Sequence, residues 1–140
     1  EYFKLFANHL TLTENQTLHF ELGRSIVGQC GSLISRATYI KEGISKKFLI
    51  LDAGMTELMR PALYNAYHKI ENLSSTDERE VYDVVGPVCE SSDTFGEDRE
   101  MNKTQRGDII AIRSAGAYGE TRASMYNCLN LPTSYFSDVL

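Results

Sequence analysis

The sequence predicts a mainly β protein: an all-β domain behind a short tail of helix and strand. Two observations predict it. After Gly31 the chain becomes a succession of short apolar runs, several rich in β-branched and aromatic residues. Polar segments with turn character separate them, which is the pattern of an all-β domain. The length of 140 residues fits one domain of ordinary size.

Taken in order, Glu1 to Leu10 reads as the end of a helix, because Phe3, Phe6 and Leu10 fall on one stripe at helical period. Thr11 to Gln16 is a polar connector. Thr17 to Glu21 alternates, Leu18 and Phe20 against His19 and Glu21, and predicts a strand that ends at Gly23. Ser25 to Cys30 predicts a helical turn. Leu33 to Ile40, a polar turn over Lys41 to Lys47, and Phe48 to Asp52 predict a hairpin. Met55 to Tyr67 reads as a loop with one helical turn. Lys69 to Leu73 and Glu80 to Val88 are strands across a polar turn. Ser91 to Gln105 is charged and is expected to be a long loop. Asp108 to Arg113 is a compact strand. Leu129 to Leu140 carries no clear signal. The opening at Glu1 is mid-pattern, so a piece of a longer protein is expected.

Composition narrows the function. A net charge of −5 argues against a dedicated nucleic-acid binder. No apolar run is long enough to span a membrane, and no secretory leader pattern is present. Cys30, Cys89 and Cys128 form no Cys-x-x-Cys pair, which fits free thiols in a reducing, cytoplasmic setting better than disulfides or a metal site. Cys30 and Cys128 read as structural.

Four stretches carry candidate chemistry. In Val84 to Asp93 an apolar strand stops at Gly-Pro and delivers Cys89 and Glu90 into a loop. A buried thiol beside a surface acid is the bland alternative, but the Ser-Ser-Asp that follows makes burial of the whole segment unfavourable. Glu21-Leu-Gly-Arg24 joins a strand to a helical turn, where glycine admits a phosphate and Arg24 offers a fork of donors. A plain glycine turn with surface charges explains the same four residues. Arg60-Pro-Ala-Leu-Tyr64 starts a helical turn at a position that welcomes proline, so Arg60 and Tyr64 can share a ligand. A solvated Arg beside a packed Tyr is the alternative. Ala115-Gly-Ala-Tyr-Gly119 holds Tyr118 between glycines, at a turn tip or against a ligand. His19 reads as a hydrogen-bonded core histidine, and His9 and His68 carry no signal.

Taken together and in this order, Gly23-Arg-Ser-Ile-Val27, Leu51-Asp-Ala-Gly-Met55, Arg60-Pro-Ala-Leu-Tyr64, Tyr82-Asp-Val-Val-Gly-Pro-Val-Cys-Glu-Ser91 and Gly116-Ala-Tyr-Gly119 resemble the C-terminal part of the diaminopimelate decarboxylases. These depend on pyridoxal 5'-phosphate and belong to the alanine racemase/ornithine decarboxylase structural group. The resemblance implies that residues 1–30 are the last helix and strand of a TIM barrel, and that 31–140 form a β-sandwich or barrel-like domain. It implies conversion of meso-2,6-diaminopimelate to L-lysine and carbon dioxide by the full-length protein. The family's cofactor-bearing lysine lies upstream, so this chain alone is expected to be inactive.

By the same resemblance, Glu21 would pair with the pyridinium nitrogen, and Gly23 and Arg24 would bind the cofactor phosphate. Arg24 would also hold a substrate carboxylate, and Arg60 and Tyr64 the distal end of the substrate. Cys89 would donate the proton, and Glu90 would bind the distal ammonium, both reaching into the partner's site of a homodimer. Tyr118 would contact cofactor and substrate. Leu22 departs from the family, which usually has proline there, and this changes the stiffness of the turn more than its chemistry. A substrate with two amino-acid ends needs a cation and an anion at its far end. Arg60 and Glu90 are of those types, which favours diaminopimelate over ornithine or arginine. A related decarboxylase acting on another amino acid or a carboxylated polyamine, and a non-catalytic binding relative, are the alternatives.

Overall fold

In this computed structural model, residues 1–137 are described. The elements are α1 (Tyr2–His9), β1 (Ser32–Glu42), β2 (Lys47–Leu51), α2 (Arg60–Tyr64), β3 (Ile70–Asn72), β4 (Arg79–Val85), β5 (Thr94–Asn102) and β6 (Ile109–Arg113). The strands form one sheet in the order β3-β6-β1-β2-β4-β5.

β1 holds the sheet together because it pairs twice. Its first half lies antiparallel to β6, from Ser32 opposite Arg113 to Arg36 opposite Ile109. Its second half lies antiparallel to β2, after a register shift between Ala37 and Tyr39. Such a bulge bends a strand and increases its twist, so one strand can serve both halves of a curling sheet. β2 and β4 are parallel, and the other pairs are antiparallel. At the two outer edges, Asn72 donates from Nδ2 to Thr104 Oγ1 at 3.0 Å and to Asp108 Oδ2 at 2.8 Å. Asn102 donates to Ser75 O at 2.9 Å. These bonds draw β3 towards the end of β5, and the sheet becomes a nearly closed barrel.

Alternation fills the barrel. Leu49 and Leu51, Tyr82 and Val84, and Ile110 and Ile112 are pairs two residues apart, all buried in one core with Phe95 and Met101. Tyr82 is the one phenol in that core. It donates to Glu80 Oε2 at 2.7 Å and accepts from Thr104 N at 3.0 Å. Burial pushes its hydroxyl up to about 12.

The helix, the hairpin, the turn at residue 60 and the strands near 70, 80 and 109 stand where the sequence predicts them, although β4 ends at Val85 rather than Val88. Two expectations are overturned. The stretch Ser91 to Gln105 is not a long loop, since nine of its residues form β5. Phe95 and Met101 face the core while Glu97, Asp98 and Glu100 face solvent. Gly96 and Asp98 both have positive φ, and the register shifts against β4 at these places. The bulges break the simple alternation, and charge on an edge strand protects it from unwanted pairing. Thr17 to Glu21 forms no strand. A strand exists only where a neighbour takes up its N–H and C=O groups, and no ladder reaches this stretch among the described residues. Phe20 instead packs edge-on against Phe3 and Phe6, with ring centres 4.9 Å apart in each case.

The expected turn over 25–30 is two short 3₁₀ turns, Arg24–Ile26 and Gly28–Cys30. It is tied to the barrel by backbone. Gly116 N donates to Gly28 O at 3.0 Å and Ala115 N to Gly31 O at 2.9 Å. Gly31 and Gly116 touch so closely that a Cβ on Gly31 would lie 2.6 Å from the Gly116 Cα.

Candidate functional site

Beyond β4 the chain turns at Gly86 and Pro87 into the loop that carries Cys89 and Glu90, both exposed. The loop is closed by Gly86 N donating to Asp93 O and Asp93 N donating to Glu90 O, each at 3.0 Å. Asp93 is 4% exposed, and its carboxylate is the staple. Oδ1 accepts from Met55 N at 2.6 Å and Oδ2 from Val88 N at 2.7 Å. Burial pushes this carboxyl up and the two N–H donors pull it back. Gly54 and Gly86 make room for it, since a Cβ on Gly54 would lie 2.7 Å from Asp93 Oδ1. The thiol-bearing loop is thereby joined to the segment that leads into α2.

Glu90, Ser92, Met55, Met59, Ser124 and Tyr126 line a cleft of about 300 Å³ between these two segments and the C-terminal region. Ser124 N donates to Thr56 O at 2.9 Å and closes its third side. Met59 is followed directly by Arg60, and Ser124 stands two residues after Arg122, so the rim of the cleft continues into a cluster of cations and rings. The Arg60 guanidinium carbon lies 5.6 Å from the Tyr64 ring centre. That of Arg122 lies 5.9 Å from Tyr64 and 5.6 Å from Tyr118. Arg122 Nη1 donates to the Tyr64 hydroxyl at 2.9 Å. Tyr118 has φ 60, a left-handed position in the tight turn that Gly116 anchors.

His68 is buried behind this cluster at 1% exposure. Its Nδ1 lies 2.8 Å from Arg113 O, which makes Nδ1 the donor, and Nε2 has no partner among the described residues. Burial lowers its pKa, and the nearby positive charges of Arg60 and Arg24 lower it further. Arg24 and Arg60 stand on different segments, and both act on His68. Arg60 Nε is also buried without a partner among the described residues.

The structure brings together Arg60, Tyr64 and Tyr118 around Arg122, sets Glu90 on a separate cleft, and places Arg24 within electrostatic reach of His68. Cys89 has no hydrogen bond to this cluster. Glu21 and Gly23 are exposed and have no side-chain contact to it among the described residues. Three expectations about other residues are corrected. His19 is exposed and takes part in no hydrogen bond among the described residues, while His68 is buried in the core. Cys30 and Cys128 are exposed and fill no core position. The sequence reading passed over Arg122, for which the one available signal was a cation three residues after the Gly-Ala-Tyr-Gly turn.

A larger hollow, about 390 Å³, lies elsewhere beside Lys46, Lys47 and Asp83 and contains none of these residues. Asp83, Glu97 and Asp98 converge there. Lys46 Nζ sits 2.9 Å from Asp83 and 3.4 Å from Glu97, so the acidic group already has its cation.

Two guanidinium groups over aromatic rings, beside a cleft that holds a carboxylate, suit a ligand bearing both carboxylate and ammonium groups. Comparison with known proteins shows the family. A family model described as "Pyridoxal-dependent decarboxylase, C-terminal sheet domain" matches residues 24–116. The chain is 64% identical over 139 residues to the diaminopimelate decarboxylase of Bacteroides thetaiotaomicron, covering 99% of this chain and 36% of that protein. It is 45% identical over 119 residues to the enzyme of the same name from Methanocaldococcus jannaschii, covering 85% of this chain and 27% of that protein. The crystal structure of the M. jannaschii enzyme in complex with L-lysine matches with a TM-score of 0.74 and 47% identity, over 76% of this chain and 24% of that one. The chain thus spans about a third of the length of the first of these relatives and less of the others.

Proposed function

The chain belongs to the pyridoxal-dependent decarboxylases, as their C-terminal sheet domain, and on that premise we propose that the whole protein converts meso-2,6-diaminopimelate to L-lysine and carbon dioxide. Residues 1–30 are then the tail of the preceding barrel, and 31–140 the sheet domain. The observation that carries the reading is the gathering of Arg60 and Arg122 on the Tyr64 ring, with Tyr118 against Arg122, while the stapled loop holds Cys89 and Glu90 out to solvent. Diaminopimelate keeps one intact amino-acid end during decarboxylation. Arg60 and the Tyr64 hydroxyl hold its carboxylate, and Glu90, beside Cys89 on the stapled loop, holds the ammonium of a substrate in the partner's site.

The residues before β1 fit the cofactor. Gly23 has open space on the side where a Cβ would stand, and Arg24 is exposed beside it. Within that turn Ile26 N donates to Gly23 O at 3.2 Å, which leaves the amides of Gly23 and Arg24 to face a phosphate. Glu21 would meet the ring nitrogen and Tyr118 the ring or the substrate, while Arg24 also holds a substrate carboxylate. When bound, the pyridoxal group takes up the electron pair left by carbon dioxide. Cys89 holds a proton at Sγ for the carbon that has lost its carboxylate. Its exposure at the tip of a stapled loop suits delivery into the site of a second subunit, so a homodimer with shared sites follows. Three exposed cysteines and a negative charge suit a cytoplasmic enzyme that binds neither nucleic acid nor membrane. Among the described residues no helix is long and apolar enough to cross a membrane.

The test is turnover of the full-length protein, supplied with pyridoxal phosphate, on diaminopimelate, ornithine, lysine, arginine and a carboxylated polyamine. Release of carbon dioxide from diaminopimelate with L-lysine as product is expected. Turnover of ornithine at a higher kcat/KM would transfer the proposal to a related decarboxylase, and no turnover of any of them would remove the enzyme.

A further inference from the structure

From the cluster at the rim of the cleft we infer that Arg122 is a second carboxylate-binding cation and a determinant of specificity for a ligand with a free α-carboxylate. The inference rests on the decarboxylase reading and adds to it a residue for which neither the motifs nor the comparisons supply a role.

Arg122 ends a short 3₁₀ turn, Glu120–Arg122, that follows directly on the Tyr118 turn. Its guanidinium, otherwise exposed, is held by two side chains. Nη1 donates to the Tyr64 hydroxyl at 2.9 Å, and the rings of Tyr64 and Tyr118 lie within 6 Å of its central carbon. Its remaining donors have no partner among the described residues. Among the described residues it forms no ion pair with an acid. Arg60 contacts the same Tyr64 ring, and it too has no carboxylate partner among the described residues. Two cations held against one ring, neither paired with a carboxylate among the described residues, are a ready site for an anion.

The hydrogen bond also sets a direction. The Tyr64 hydroxyl accepts from Arg122, so its own proton is free to be donated outward. A carboxylate that accepts this proton lies next to the Arg122 guanidinium and meets two donors at once. Planar guanidinium matches planar carboxylate, and the bonds are charge-assisted. A ligand that ends in a bare ammonium gains nothing from either donor and meets two positive charges.

The experiment compares L-lysine with cadaverine, which is lysine without its carboxylate. Calorimetric binding of each is measured on the full-length protein loaded with pyridoxal phosphate, and on its Arg122→Gln and Arg122→Lys variants. L-lysine is expected to bind roughly 10- to 100-fold more weakly to Arg122→Gln, the loss of charge-assisted hydrogen bonds. Cadaverine should change by less than about threefold, and Arg122→Lys should recover part of the loss by its charge alone. Equal weakening of both ligands would mean that Arg122 only supports the fold, and unchanged lysine binding would remove it from the site. Either result overturns the inference and leaves the decarboxylase reading standing. If the unaltered protein binds neither L-lysine nor diaminopimelate, the decarboxylase reading itself falls.

Discussion

Single side chains in this protein act through partners that lie far away in sequence. Asp93 shows it for the thiol loop, where one buried carboxylate accepts two amides from separate segments and so fixes where Cys89 and Glu90 stand. His68 shows it for the cation cluster. Its ordinary pKa of 6.5 is lowered in the fold by burial and by two arginines. As the pH falls past about 6.5, the unfolded chain takes up a proton that the folded chain refuses. The contribution of His68 is therefore complete above that pH and is lost as the pH falls towards and through the folded value. Thermal melts of the chain followed by circular dichroism should show a falling midpoint between about pH 7 and 5, and a shallower fall in His68→Gln. Equal slopes in the two proteins would show that His68 is not the group responsible. The cluster itself was half legible. Arg60, Tyr64 and Tyr118 stand in motifs, whereas Arg122 reaches Tyr64 across 58 positions and no local pattern announces it.

At the scale of elements, the contact between the 3₁₀ turns and the Tyr118 turn links the candidate phosphate segment to the sheet. It depends on two glycines packed backbone to backbone. A Cβ on Gly116 would run into the Val27 carbonyl and lie 2.7 Å from Gly31 N. Gly116→Ala should cost about 1–3 kcal/mol by overpacking, measured by urea unfolding. The same change should weaken pyridoxal phosphate binding in the full-length protein, because Arg24 and Tyr118 shift together. A variant as stable as the parent would mean that the two turns can part freely. β5 carries a different lesson. Its charges and its positive-φ residues give it the composition of a loop, and it is a strand because β4 offers a free edge and the core accepts Phe95 and Met101.

At the scale of the whole molecule, the barrel-like sheet is a platform that holds out loops, and the proposed chemistry calls on regions that the longer relatives carry beyond the stretch matched here. Two full-length variants, one lacking Cys89 and the other lacking the lysine that carries the cofactor, should each be inactive and regain activity when mixed as subunits. Verified mixed dimers without recovery would show that Cys89 serves its own subunit. The sequence by itself determined the class of fold, most of the strands and the chemical types in the site. Alternation, glycine turns and motif order are local properties, and they survive without knowledge of neighbours. Tertiary structure alone decided that a charged stretch becomes an edge strand, that a buried Asp93 joins the thiol loop to the segment before α2, and that Arg122 joins Arg60 at Tyr64. Each of these depends on what lies across space, because a strand needs a partner for its amides and a charge takes its role from the groups that surround it.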